Sequence, residues 1–268
     1  MKNAQLYKYS QEFFAVQNEE VHQICSDFEP NAIDTDYVYW LNFHNLQDRQ
    51  ALELLCQKLQ LDKLSIESIF LPLRRSKVEE YPNYLFFQIH TLRNNSATAA
   101  ETEKLSFVVG KSFLLSFQEQ QGQHFSDVRE RIEKSKGKIR SQKSDFLLFR
   151  LLDALIDEIF VKTEEVSDQI DLIDAGIHSN MKSELLRGIE TQKRELIELR
   201  KLIEHWITER LQKQLSAGQS SLKTIAQTVP SGRSAAATTL RDRIKALQGW
   251  HDKASAMLPF VRTALQLG

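Results

Sequence analysis

Five acids, Asp153, Asp157, Glu164, Asp168 and Asp171, recur at steps of three, four and seven within Ser144–His178. On a helix turning about 100° per residue they fall within about 60° of one another. Carboxylates that close repel, at about a few tenths of a kcal/mol per i,i+4 pair, so the ridge needs solvent, basic partners or cations. Mg2+ is a hard cation that keeps several waters and takes only one or two carboxylates from a protein. A site of that kind leaves almost no spacing signature. A run of like charge is also the ordinary outer face of a solvated helix, and at this level both readings stand.

Other chemistries find little support. The chain has no phosphate-binding Gly-rich loop, no HExxH, no GxSxG and no Cys/His cluster. His22, His44, His90, His124, His178, His205 and His251 are scattered, and each reads as a surface or helix-packing residue rather than a ligand. Cys25 and Cys56 lack metal spacing and a paired base, which predicts reduced thiols in a reducing compartment. The Arg74–Lys77 cluster is followed by Glu79 and Glu80, so local pairing competes with phosphate binding. An enzyme is not expected.

The acids must be positioned by their elements. Opposite the ridge, Leu148, Leu152, Leu155, Ile159, Val166, Ile170, Ile173 and Ile177 form an apolar seam, so Ser144–His178 reads as one long helix. Before it, Tyr37–Phe43 reads as a strand. A helix capped by Asn45 and carrying Leu46, Leu52, Leu55 and Leu59 comes next, then a short helical piece, Leu64–Phe70, that ends at Pro72. Asn83–Leu92, Lys104–Gly110 and Ser112–Gln118 are further strands, the last two close enough to form a hairpin. Strands and helices in this order predict an α/β domain over residues 1–122, its mixed sheet flanked by helices. From 123 to 268 the pattern is helical, giving an α+β chain that ends in a long-helix stalk or bundle. A helix capped by Ser126 breaks near Gly137, and Glu184–Leu215 carries Ile189, Leu196, Leu199, Ile203, Trp206 and Leu211. Ser216–Thr239 reads as a loop. Leu240, Ile244, Leu247, His251, Ala254, Leu258, Val261 and Leu265 then form a heptad seam, weakened by Gly249 and Pro259. That seam suits either core packing or self-association.

A chain of 268 residues accommodates two domains, and its net charge of −1 gives no general attraction to nucleic acid or anionic membrane. The N-terminal stretch MKNAQLYKYSQEF lacks the apolar core of a signal peptide, and no run of 18 apolar residues offers a membrane span.

Several stretches together resemble the cytoplasmic part of the CorA family of divalent-cation (Mg2+/Co2+) transporters. They are RRSKVEEYPNYLFF (Arg74–Phe87), LSFVVGKSFLLSFQE (Leu105–Glu119), VRERIEKSKGKIR (Val128–Arg140), SDFLLFRLLDALIDEIF (Ser144–Phe160) and KRELIELRKLI (Lys193–Ile203). They keep the family's order and near-family spacing over most of residues 60–205. The resemblance implies a homopentameric funnel on the cytoplasmic side of the inner membrane, with the last long helix lining the stalk. It implies two transmembrane helices and a Gly-Met-Asn pore signature beyond Gly268, through which the protein would meet the membrane.

In that family, regulatory cations sit between neighbouring subunits on a few carboxylates, and their loss loosens the closed ring. The family's Leu-Glu-Asp matches Ile66–Glu67–Ser68, keeping the first acid and replacing the second by serine. Its Leu-Leu-Asp-Ala-Leu matches Leu151–Leu155 and implies a ligand at Asp153, with Asp157 one turn on as the next candidate. Its Arg-Asp matches Arg241–Asp242, although Ile244–Lys245–Ala246 stands in place of the family's Tyr-Asp-His. The implied metal set is thus Asp153, Glu67, Asp242 and Asp157. The implied ion is regulatory Mg2+, with Co2+, Ni2+ or Zn2+ as alternatives, and no nucleic-acid partner is implied. The implied function is a cation-sensing domain that gates a pore. A zinc-transporting relative and a soluble helical scaffold are the other readings.

Overall fold

The computed structural model describes residues 3–74, 76–93, 101–120, 124–176 and 182–207. Seven strands form one mixed sheet: β1 (Ala4–Tyr9), β2 (Phe14–Glu19), β3 (Val38–His44), β4 (Lys77–Glu80), β5 (Leu85–Leu92), β6 (Thr102–Val109) and β7 (Phe113–Gln118). Their order across the sheet is β2-β1-β3-β7-β6-β5-β4, antiparallel throughout except where β3 lies parallel to β7. The predicted hairpin is β6–β7, with Val108 opposite Leu115. In the turn between them, a Cβ on Gly110 would stand 2.2 Å from the Phe113 ring, so glycine permits the close return.

Every residue of β3 is buried, as expected for a central strand covered on both faces. Its side chains alternate between two cores. Val38 and Trp40 join one with Phe87, Phe107 and Leu114. Tyr39, Leu41 and Phe43 join the other with Phe86, Val108 and Leu115. Helices α1 (Val21–Asp27), α2 (Arg49–Lys58) and α3 (Lys63–Phe70) supply the second core through Ile24, Leu52, Leu55, Ile66 and Ile69. Helices α4 (Ser126–Glu133), α5 (Ser144–Gly176) and α6 (Lys182–Ile207) supply the first through Val128, Leu152, Ile159, Leu199 and Ile203. The sheet therefore stands between α3 and α5.

The predicted elements recur with shifted ends. The cap of α2 is Asp48, whose carboxylate accepts from the Ala51 amide at 3.3 Å, while Asn45 sits at φ 59° in a left-handed turn. Ser126 lies inside α4, after Phe125 at the cap position. Gly137, at φ 71°, lies just past the break. The strands β1, β2 and β4 and the helix α1 were not anticipated. The α5 seam is buried at Leu148, Leu152, Leu155, Ile159 and Val166. Its start is pinned to the β6–β7 turn, because the Ser144 hydroxyl donates to the Gly110 carbonyl and, at 3.1 Å, to that of Lys111. In α6, Leu196, Leu199 and Ile203 are buried. The Ser216–Thr239 stretch, the heptad seam from Leu240 and Asp242 lie outside the described residues.

Candidate cation site

The acid ridge of α5 is not uniform. Asp157, Glu164 and Asp168 are exposed, as a solvated face requires. Asp153 is only 7% exposed, and its Oδ2 accepts from Arg150 Nη1 at 2.8 Å. A helical wheel treats one helix alone; it does not register what packs against α5, nor the pairing of Asp153 with Arg150 one turn before it. A carboxylate buried this far must be paired or coordinated, which sets Asp153 apart from its neighbours.

Glu67 lies on the half-exposed side of α3, 4.0 Å from Lys63 Nζ across one helical turn. The Ser68 hydroxyl beside it accepts from Lys77 Nζ at 3.0 Å. Lys77 also reaches Glu79 at 3.3 Å, the local pairing the sequence suggested for this basic cluster. Further side chains from the strands hold the end of α3. Gln88 Nε2 donates to the Ser68 carbonyl at 2.9 Å. Lys104 Nζ, on a side chain 4% exposed, donates to Ile69 and Leu71 at 2.6 and 2.7 Å. Burial lowers the proton affinity of that ammonium, and Glu119 at 3.7 Å partly restores it.

One chain does not bring Glu67 and Asp153 together. Ile66 and Ile69 put α3 in the core on one sheet face, and Leu151, Leu152 and Leu155 put α5 in the core on the other. Among the described residues, no group of three or more His, Cys, Asp and Glu side chains is arranged to hold a metal ion. A polar hollow of about 250 Å3, lined in part by Tyr9, Asp36, Arg140 and Lys143, touches none of the predicted acids.

Sequence reasoning missed a buried ionic triad. His124 Nδ1 donates to Glu158 on α5 at 2.6 Å, and Nε2 donates to Glu103 on β6 at 2.7 Å. Ionised carboxylates only accept hydrogen bonds, so both ring nitrogens carry protons and the ring is an imidazolium. Burial opposes that charge, but the bonds to Glu103 and Glu158 prevail and raise its pKa to about 9. His44 nearby is different: burial, then the Arg129 guanidinium, push it down to about 4, which leaves it neutral at pH 7. The same sheet face carries a polar chain. Trp40 Nε1 donates to Ser116 at 2.9 Å, and Ser116 and Gln118 donate to Asn42 Oδ1 at 2.7 and 2.6 Å. The sequence signal for burial was the charged pair Glu103–Lys104 opening an otherwise apolar strand. Cys25 and Cys56 are free and buried, and burial pushes each thiol up to about 12.

Among the described residues no helix is long and apolar enough to cross a membrane. In fold, the chain is similar to the crystal structure of a ZntB cytoplasmic domain from Vibrio parahaemolyticus, at TM-score 0.72 and 10% identity over 99% of this chain and 98% of that one. It is also similar to the soluble domain of CorA from Methanocaldococcus jannaschii, at TM-score 0.62 and 14% identity over 97% and 94%. At the sequence level it is 32% identical over 171 residues to the cobalt/magnesium transport protein CorA of Thermotoga maritima, covering 63% of this chain and 49% of that protein. A putative metal ion transporter, YfjQ of Bacillus subtilis, is 26% identical over 68% of this chain and 56% of its own length. The chain thus spans about half the length of these curated relatives. Residues 35–256 match the family described as CorA-like Mg2+ transporter protein, which takes in β3 to β7 and α2 to α6, and the chain belongs to that family.

Proposed function

We propose that this chain is the cytoplasmic cation-sensing part of a membrane transporter for Mg2+ or a related divalent ion. In this reading residues 1–122 form the α/β domain and 123–268 the stalk of a homopentamer. The observation that carries it is the separation of Glu67 and Asp153 by the sheet. Two acids on opposite faces of one chain can share an ion only if different copies contribute them. The surroundings of these acids support contact between copies. Leu64 and Leu71, a turn to either side of Glu67, are exposed, as are Val161 and Leu172 on the ridge side of α5. Exposed apolar groups rimmed by charge are what a docking surface requires.

Mg2+ bridging Glu67 of one copy to Asp153 of the next, with Asp157 and Asp242 as further ligands, would offset carboxylate repulsion and favour the closed assembly. To reach Asp153, the ion must draw its carboxylate from Arg150. The shift in population cannot exceed the ion's differential affinity for the two states. Calorimetric titration with Mg2+ tests the ligand assignment: Asp153→Asn should weaken binding by about tenfold or more, the scale of losing one hydrogen-bonded charge. Identical isotherms for the two proteins would remove Asp153 from the site.

A further inference from the structure

The end of α3 gathers several oxygens: the carbonyls of Ser68, Ile69 and Leu71 and the Ser68 hydroxyl, with Glu67 beside them. Carbonyl, hydroxyl and carboxylate oxygens are the donors a hard cation takes, and a helix carboxyl terminus adds partial negative charge. Here lysines from the neighbouring strands already supply positive charge. Lys104 serves the Ile69 and Leu71 carbonyls from a buried position. Lys77 is placed differently. Its ammonium is 3.0 Å from Ser68 Oγ, 3.3 Å from Glu79 Oε1 and 5.1 Å from the centroid of the Phe86 ring. Its side chain is 27% exposed. It is therefore half-buried and open to solvent on one side, next to the turn that carries Glu67.

We propose that Lys77 sets the cation affinity of the Glu67–Ser68 turn by acting as a tethered competitor. A divalent ion that takes Glu67 with the Ser68 hydroxyl must displace the ammonium from that hydroxyl or accept a like charge beside it. The buried Lys104 holds the turn in shape and stays in place. The half-buried Lys77 can swing away, so the turn can still be occupied, but weakly. This rests on the cation-sensing reading and deepens it: the chain carries on β4 the residue that weakens its own site.

Calorimetric titration with Mg2+ of the wild type, Lys77→Met, Ser68→Asp, the double variant and Asp153→Asn tests the inference. Thermal unfolding checks each fold, and Lys77→Gln is the second variant should methionine disturb it. Lys77→Met should bind Mg2+ about tenfold more tightly, the effect of removing one charge within about 5 Å of a dication even at bulk-water screening. Ser68→Asp alone should gain little, because Lys77 would claim the new carboxylate. The double variant should gain more than the two single changes combined. A folded Lys77→Met or Lys77→Gln protein with wild-type affinity, alongside a weakened Asp153→Asn, overturns the role of Lys77 and leaves the cation-sensing reading standing. Unchanged binding in Asp153→Asn as well removes the reading on which both depend.

Discussion

Replacing His124 by glutamine should cost the fold about 3 kcal/mol near neutral pH. The proton on His124 is held at about 9 in the folded chain against 6.5 for a free histidine, and each unit of such a shift is about 1.4 kcal/mol. Because the folded value is the higher one, this stability is fully present below about pH 6.5. It is lost as pH rises through about 9. Glutamine is close to a neutral histidine in this setting. Its amide N–H can serve Glu103 or Glu158, but its carbonyl would face the other carboxylate. The side chain of Glu103 is 1% exposed, so water cannot replace the lost donor. Urea unfolding of both proteins at about pH 6, 7.5 and 9.5 gives the measurement. The gap between them should be largest at the lowest pH and close towards the highest. A gap that stays constant over this range would refute the imidazolium assignment, whatever its size.

Lys104→Met should destabilise the fold by about 2–4 kcal/mol, because the Ile69 and Leu71 carbonyls at the end of α3 lose a buried donor; an unchanged urea midpoint would show that the ammonium contributes nothing. Cys25 and Cys56, with thiols raised to about 12, hold almost no thiolate at pH 8. Disulfide-exchange reagents should label neither until denaturant is added, and rapid labelling of the native chain would contradict their burial.

The sheet was legible wherever apolar side chains formed continuous runs. Tyr37–Phe43 became β3, and Lys104–Gly110 with Ser112–Gln118 became β6 and β7, since strands buried on both faces carry apolar residues at most positions. The edge strand β2 has mostly exposed side chains, and FAVQNE carries no alternation to detect. Asn45 and Asp48 are both good caps by residue type; only the path of the chain chooses Asp48. The candidate ligands were legible as residue types and as motif matches. Asp153 was singled out by its motif, whereas its burial and its pairing with Arg150 come only from the packed fold. The His124 triad joins residues 21 and 34 positions apart, and such a contact leaves no local periodicity. Lys77 read as a member of a basic run, and its placement over Ser68 depends on β4 pairing with β5.

The central claim is that a divalent ion joins copies of this chain through acids that one copy cannot bring together. Sedimentation velocity of the chain, first with chelator and then across a Mg2+ titration, tests that claim most directly. A faster-sedimenting assembly that forms with Mg2+, dissolves again with chelator and is weakened by Asp153→Asn is the predicted result. A single sedimentation coefficient at every Mg2+ concentration would contradict it.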